Sequence, residues 1–181
     1  MYGSSQWKYK ERGADVEAKL TNYTLNVDEA NKRLDKSPYK FEKDGKTAWD
    51  ATKAAEQYKN NADKFDYYRY DENGKKLQVN QFGAKESEIT TLLSNQLPDN
   101  AKQAGLEYNV QAGDFNTLLN YRENPKEGDK AEYTAFNMGL SFGSPFDPYY
   151  QYNSKGNDNK TKTNDPQADK ITEELRRIKP G

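Results

Sequence analysis

Strand and helix patterns alternate through the middle of the sequence, and this alternation restricts the fold more than any other feature. Residues 75–82 alternate apolar with polar positions, residues 86–105 carry apolar residues at helical spacing, and residues 106–112 alternate again. A second helix is predicted over 115–122 and a last strand over 133–142. Such an order predicts parallel strands joined by right-handed crossovers. We therefore expect the α/β class, with an open, mainly parallel sheet and flanking helices.

The two helices of this alternation have recognisable ends. Gly105 is placed to end the first helix, and Pro98 inside it is expected to kink the helix or split it in two. Asp114 is placed to cap the second helix. The apolar residues that we expect to be buried are Ile89, Leu92, Leu93, Leu97, Ala101 and Ala104 in the first helix and Phe115, Leu118 and Leu119 in the second.

Shorter elements are predicted before the alternation begins. Residues 26–36 fit a short amphipathic helix, although the apolar stripe extends backwards at spacings of three and four, so a coiled-coil seam is the alternative. The extended stripe consists of Val16, Leu20, Tyr23, Val27, Ala30 and Leu34. A helical insertion is expected near 47–66, where Thr47 and Asp50 resemble a capping box. Its apolar stripe is Ala51, Ala55, Tyr58, Ala62 and Phe65.

Four segments follow from these patterns. We expect an extended N-terminal segment over 1–25 and an α/β unit over 26–152, which includes the helical insertion and a β-hairpin at Asn73-Gly74. Residues 153–166 contain hardly any apolar side chain and predict a polar loop. Residues 167–181 contain a C-terminal helix that must dock on the rest of the chain, because short helices are marginal alone. Its apolar face is Ile171, Leu175 and Ile178.

The composition leaves little material for an aliphatic core. Only 26 of the 181 residues are Leu, Ile, Val or Phe, a share below the roughly 20% at which independent order becomes doubtful. Fourteen tyrosines partly compensate with aromatic area. We therefore expect an ordered chain with faces that require a neighbour.

Charge and residue types exclude several functions. The formal net charge is −1, with 28 basic and 29 acidic residues, so neither nucleic acid nor an anionic membrane is an expected partner. The chain contains no His and no Cys, and no phosphate-binding glycine loop or calcium loop occurs. We expect no enzymatic activity, no cofactor and no metal site. Two runs of aromatic and basic residues, 7–10 and 67–70, are interpreted as half-buried tyrosines with solubilising bases.

The loop after the last predicted strand is the candidate site. Ligands of open α/β sheets bind beyond the carboxyl ends of the strands. Asp147 also has a structural interpretation, since Asp-Pro fits the start of a short helix at 149–152. Both interpretations are compatible. The candidate ligand-binding residues are Ser141, Phe142, Gly143, Ser144, Pro145, Phe146 and Asp147.

Four stretches of the sequence stand out by their order and spacing: NVDEANKRLDKSPYKF, NGKKLQVNQFG, ESEITTLLSNQLPDNAKQAGLEYNVQAGDFNTLL and YTAFNMGLSFGSPFDPYYQYNS. Together they resemble the C-terminal region of the large solute-binding proteins of ABC importers, the oligopeptide, dipeptide and nickel type (bacterial extracellular solute-binding protein family 5). The resemblance covers roughly residues 7–178. It implies a periplasmic-binding-protein-like lobe that would be one part of a two-lobed receptor.

This resemblance also implies a function and a location. Such a receptor captures a peptide or related small molecule and delivers it to permease subunits, outside the cell or in the periplasm, attached to the membrane only through a lipid anchor outside this chain. Ser144 stands where many peptide-binding members have an acidic residue, and Tyr149 stands where the nickel or metallophore branch often has His. An oligopeptide, a dipeptide and a metal chelate all remain open as ligands. The alternative function is a non-enzymatic structural or assembly subunit.

Overall fold

The computed structural model describes residues 7–21, 23–124, 126, 132–139 and 147–178. Their order along the chain is three helices, then alternating strands and helices, then two further helices. The elements are α1 (Trp7–Glu17), α2 (Val27–Leu34), α3 (Ala51–Asn61) with a 3₁₀ turn (Ala62–Lys64), β1 (Gln78–Ala84), α4 (Glu88–Lys102), β2 (Glu107–Gly113), α5 (Phe115–Glu123), β3 (Ala135–Asn137), α6 (Tyr149–Tyr152) and α7 (Pro166–Arg177).

The described strands form one parallel sheet with the order β2-β1-β3. β1 pairs with β2 along its whole length, with Val79 opposite Tyr108. It pairs with β3 over three residues, with Phe82 opposite Phe136. The prediction of an α/β fold with an open parallel sheet is confirmed, and the strands near 77, 108 and 136 lie in the same sheet as expected.

An aromatic cluster fills the face of the sheet that α5 covers. The ring centroid of Phe82 lies 5.2 Å from that of Tyr121 and 5.0 Å from that of Tyr133. Leu118 of α5 is fully buried. A Cβ at Gly113 would lie 2.4 Å from the Phe82 ring, so the ring occupies the space of a side chain. Aromatic area thus supplies much of the burial that the few aliphatic residues cannot.

A second core forms around the buried guanidinium of Arg69. Its Nε donates to the carbonyl of Ala104 at 2.9 Å and its Nη1 to Asp35 at 2.8 Å. The guanidinium lies 3.8 Å from the ring centroid of Trp49, which packs with Ala54 and Phe65 in the insertion. Arg69 therefore joins α2, the insertion and the turn after α4. The prediction that the basic residue of 67–70 faces solvent is therefore wrong for Arg69, which is buried.

The N-terminal segment differs from the prediction. Residues 1–25 were expected to be extended, but α1 forms over Trp7–Glu17. The coiled-coil alternative is also wrong, because residues 18–26 separate α1 from α2 and the side chains of Leu20 and Tyr23 are exposed. The predicted short helix is confirmed as α2, whose first turn is capped by Asn26 accepting a hydrogen bond from the N–H of Glu29.

The insertion contains the predicted helix, but its cap lies three residues later. Asp50 accepts hydrogen bonds from the N–H groups of Thr52 and Lys53, whereas the hydroxyl of Thr47 donates to Asp44. Ala54, outside the predicted stripe, is the buried alanine of α3. The predicted β-hairpin at Asn73-Gly74 is only partly formed: the turn is present, with Gly74 at φ +77°, but among the described residues it is closed by a single antiparallel bridge between Tyr70 and Lys76 rather than by two strands.

The predicted face of α4 is partly wrong. The helix continues unbroken through Pro98, and Ile89 and Leu92 are more than half exposed. Thr90 is buried instead, because its Oγ1 accepts a hydrogen bond from Asn137 at the end of β3. The same kind of error occurs in α5, where Leu118 is buried as predicted but Phe115 is half exposed.

The C-terminal helix docks through polar contacts. Asn153, at the start of the predicted polar loop, is fully buried and donates to the Thr172 hydroxyl at 3.0 Å. Asp169 accepts from the N–H and hydroxyl of Ser154. Residues 153–166 are therefore folded against α7 at one end rather than solvated throughout. The apolar stripe that was expected to dock, Ile171, Leu175 and Ile178, is exposed.

Candidate functional site

The sequence placed the candidate site after the last strand. Ser141, Phe142, Gly143, Ser144, Pro145 and Phe146 lie outside the described residues. Asp147 is described and stands two residues before the start of α6. Their joint role in ligand binding therefore stays a prediction, and the structure describes Asp147 and the strand that precedes the segment.

The end of β3 is held by hydrogen bonds between side chains. Asn137, its last residue, accepts from Gln81 Nε2 at 2.8 Å and donates to Thr90 Oγ1 at 2.9 Å. Gln81 in turn accepts from the Tyr108 hydroxyl at 2.6 Å. Gly83 is needed beneath this network, because a Cβ there would lie 2.5 Å from both Asn137 Oδ1 and Thr90 Oγ1. These bonds connect all three strands with α4 and compensate for the short backbone pairing of β3.

Asp147, at the other end of the segment, is engaged by α7. One carboxylate oxygen accepts from the N–H of Tyr149 at 3.0 Å, and the other accepts from Arg176 Nε at 2.8 Å. The Arg176 guanidinium lies 3.7 Å from the ring centroid of Tyr149. Asp147 was predicted to be the N-cap of α6, but Pro148 occupies the N-cap position. Asp147, one residue earlier, still accepts a hydrogen bond from the first turn. Asp147 acts as an attachment point for the C-terminal helix.

An open cavity of about 260 Å³ lies on the sheet face opposite Gln81. Its lining includes the amides of Asn80 and Asn109, which are joined by a hydrogen bond of 3.0 Å. Gln111 and Tyr133 add further donors and acceptors. Sequence reasoning missed this cavity; the signal was that polar positions of β1 and β2 recur at matching places in the two strands.

Several ionisable groups of the described residues have pKa values that structural contacts shift away from the ordinary value. Hydrogen bonds from Arg176 lower the pKa of Asp147, and those from Thr117 lower the pKa of Asp114. Burial, together with a hydrogen bond to Glu42, raises the pKa of Tyr67 to about 12. At neutral pH, the carboxyl groups with lowered pKa values are therefore ionised and Tyr67 is neutral. A general acid or base, by contrast, requires a pKa near the working pH.

Two further observations concern metals and membranes. No group of three or more acidic side chains that could hold a metal ion occurs within the described residues. None of the helices described is both long and apolar enough to cross a bilayer.

The fold resembles solved structures, although the sequence alone matches neither a family profile nor a curated protein. The oligopeptide-binding protein AppA of Bacillus subtilis, solved with a nonapeptide, superposes with a TM-score of 0.53 and 22% identity, over 71% of this chain and 26% of AppA. Lactococcal OppA, solved with an endogenous peptide in the closed conformation, gives a TM-score of 0.57 and 15% identity, over 81% of this chain and 23% of OppA.

The chain shares its fold with part of AppA and part of OppA. It spans about a quarter of the length of these two proteins. The sequence resemblance to solute-binding proteins therefore agrees with the fold, and the α/β lobe architecture that it implied is present.

Loss of the Asp147 charge should loosen α7. Because its pKa in the folded chain lies below the ordinary 3.8, the stabilising contact is complete above that value and is lost as pH falls through the folded pKa. Hydrogen bonds from Ser154 also lower the pKa of Asp169, so the contact between Asp169 and Ser154 is likewise lost as the pH falls. We expect Asp147→Asn to speed hydrogen exchange of α7 amides at neutral pH.

The matched control for this measurement is Lys170→Gln, on the exposed side of α7. It should leave exchange in α7 unchanged. Equal exchange in Asp147→Asn and the wild type would show that Arg176 does not attach the helix.

Proposed function

We propose that this chain is part of an extracellular solute-binding protein that captures a peptide and passes it to the permease of an ABC transporter. The observation that carries the proposal is the fold shared with AppA and OppA, both of which were solved with bound peptides. The absence of His and Cys from the sequence and the pKa shifts described above support a binding role rather than an enzymatic one. A lipid anchor outside this chain would keep the receptor at the cell surface or in the periplasm.

The proposed ligand segment is 141–147, beyond the carboxyl end of β3. Loops at this edge of a parallel sheet are where ligands bind in open α/β folds. The bonds from Asn137 to Gln81 and Thr90 hold the end of β3, four residues before the segment begins. The bonds of Asp147 hold the last residue of the segment. Held flanking residues reduce the entropic cost of presenting backbone groups to an extended peptide.

Capture would take place by closure of two lobes, with contacts to the ligand from both. This chain would supply the contacts of one lobe only. Each 1.4 kcal/mol is a factor of ten in affinity, so losing about 4 kcal/mol of contacts weakens binding roughly a thousandfold. The 181-residue chain alone should therefore bind peptides weakly or not at all.

The proposal is tested in the longer protein that contains this chain. Calorimetric titration with a nonapeptide mixture should give weaker binding for Phe146→Ala than for the wild type, while the melting temperature without ligand stays the same. Tyr23→Ala, which truncates an exposed aromatic residue, is the matched control and should retain affinity. Unchanged affinity with a lower melting temperature would make Phe146 a packing residue and contradict the proposed site.

A structural or assembly subunit is the second candidate function. The exposed stripe of Ile171, Leu175 and Ile178 favours it, because such a stripe normally packs on another surface. Thermal melting separates the two functions. A receptor melts later when peptides are added to the longer protein, whereas an assembly subunit responds to its protein partner and not to peptides.

A further inference from the structure

β2 forms one edge of the described sheet, and its backbone groups alternate between two directions. The N–H of Glu107 donates to the carbonyl of Leu77, and the carbonyl of Gly113 accepts from the N–H of Lys85. In a parallel ladder every second residue of a strand directs both backbone groups to the same neighbour. The odd-numbered residues of β2 therefore face β1, and Tyr108, Val110 and Ala112 direct their N–H and C=O groups away from the sheet.

These outward groups have hardly any partner in the part of the chain that the structure describes. The exception is the carbonyl of Ala112, which accepts from the side chain of Gln111 at 3.3 Å. An unpaired edge is a template for another strand, and proteins usually block it with Lys, Pro or a bulge. β2 reads Glu-Tyr-Asn-Val-Gln-Ala-Gly and pairs with β1 over seven consecutive residues without a bulge. Its only charge, Glu107, stands at one end.

We propose that this edge is a homodimer interface, in which β2 of two copies pair antiparallel around a two-fold axis at Val110. In that register Val110 faces Val110 of the second copy, and Tyr108 faces Ala112. Every outward N–H and C=O of both strands then receives a backbone partner. This inference is independent of the proposed receptor function.

The side chains of β2 suit this register. Each large Tyr108 stands beside a small Ala112, so the two do not compete for space. On the other face Asn109 stands opposite Gln111, and their amides can exchange hydrogen bonds. Glu107 stands opposite Gly113, so no like charges meet. The strand is thus complementary to itself in size, polarity and charge.

The dimer should dissociate on dilution. A pair of short strands buries less than the roughly 800 Å² per partner of a standard stable interface. Sedimentation equilibrium of the 181-residue chain should therefore show an average mass that rises with concentration from 20.8 kDa towards twice that value. Hydrogen exchange at the amides of Tyr108, Val110 and Ala112 should slow over the same concentration range.

Ala112→Pro tests the edge with little effect on the monomer. Proline removes an N–H that points away from β1, so the sheet loses no internal hydrogen bond. Its ring also blocks the incoming strand. We expect the variant to stay at the monomer mass at every concentration, with a circular dichroism spectrum like that of the wild type. The matched control Ala112→Thr keeps the N–H and should dimerise.

A charge exchange between two variants identifies the register even if the proline variant fails to fold. The double variants Asn109→Lys with Gln111→Lys, and Asn109→Glu with Gln111→Glu, should each be monomeric because like charges meet across the axis. Their mixture should dimerise. A wild type that is monomeric throughout, or a mixture no heavier than its components, overturns the proposal. The amides of Tyr108, Val110 and Ala112 could also become protected only after an extended peptide is added, while the mass stays that of a monomer. That result would assign the edge to peptides and would also overturn the proposed dimer.

Discussion

Replacing Arg69 with alanine should lower the free energy of unfolding by about 3–5 kcal/mol, because it opens a core cavity and leaves buried acceptors unpaired. The guanidinium is completely buried and its burial lowers the pKa of Arg69, so the charge is tolerated only because of its partners. Alanine would leave the carbonyl of Ala104 and the amide of Asn31 without their donor and would open a cavity beside Trp49. The loss is large relative to the 5–15 kcal/mol that stabilises a typical domain.

Urea unfolding followed by circular dichroism measures this change. Arg33→Ala is the matched control, because Arg33 forms an exposed pair with Glu29 within α2, and such pairs contribute little. Its unfolding midpoint should not move. Arg69→Met should lie between wild type and Arg69→Ala, since methionine restores volume without hydrogen bonds. Equal stability of Arg69→Ala and Arg33→Ala would show that Arg69 does not hold α2, the insertion and the turn after α4 together.

The sheet could be predicted because its signals are local. Asp114 caps α5 through the N–H of Thr117, only three residues away, and Gly105 ends the α4 turn with φ +70°. The alternation of apolar and polar residues in β2 is likewise read from neighbours in the sequence. Features of this kind do not depend on which distant segment is nearby, so the α/β order, the parallel strands and both caps were predicted correctly.

The helix faces were mispredicted because distant polar partners decide them. Thr90 is buried by a hydrogen bond to Asn137, 47 residues later, and Thr172 by one to Asn153. An apolar stripe carries no information on such partners, and Ile89, Leu175 and Ile178 are consequently exposed. A threonine inside an amphipathic helix also has no pattern that distinguishes a buried hydroxyl from a solvated one.

The sequence predicts the candidate site only at the level of a sheet edge, and its position stays a prediction because residues 141–146 lie outside the described residues. The order of the strands predicted which loop lies beyond β3, but the contact of Asp147 with Arg176 joins residues 29 positions apart. The polar network at Asn137 and the amide-lined cavity near Asn80 likewise require the register between strands. Register depends on tertiary packing, which periodicity within one strand does not contain.

Leu118→Asp should cost several kcal/mol and unfold the chain at much lower urea concentration. The side chain is completely buried under the sheet, and an ionised carboxylate there would have no partner. The ring of Phe82, which packs against Tyr121 of the same helix, cannot donate a hydrogen bond to such a carboxylate. In a chain with so few aliphatic residues, little other apolar burial could offset this loss.

Phe115→Asp provides the control on the same helix. Phe115 is half exposed as the first residue of α5, and a negative charge in the first turn interacts favourably with the helix dipole. Its free energy of unfolding should fall by about 1 kcal/mol, much less than for Leu118→Asp, because only half of the Phe115 side chain is buried. Both midpoints come from urea titrations monitored by circular dichroism at 222 nm. If Phe115→Asp proved as disruptive as Leu118→Asp, α5 would face the sheet with the side that the sequence predicted, and the orientation described above would be wrong.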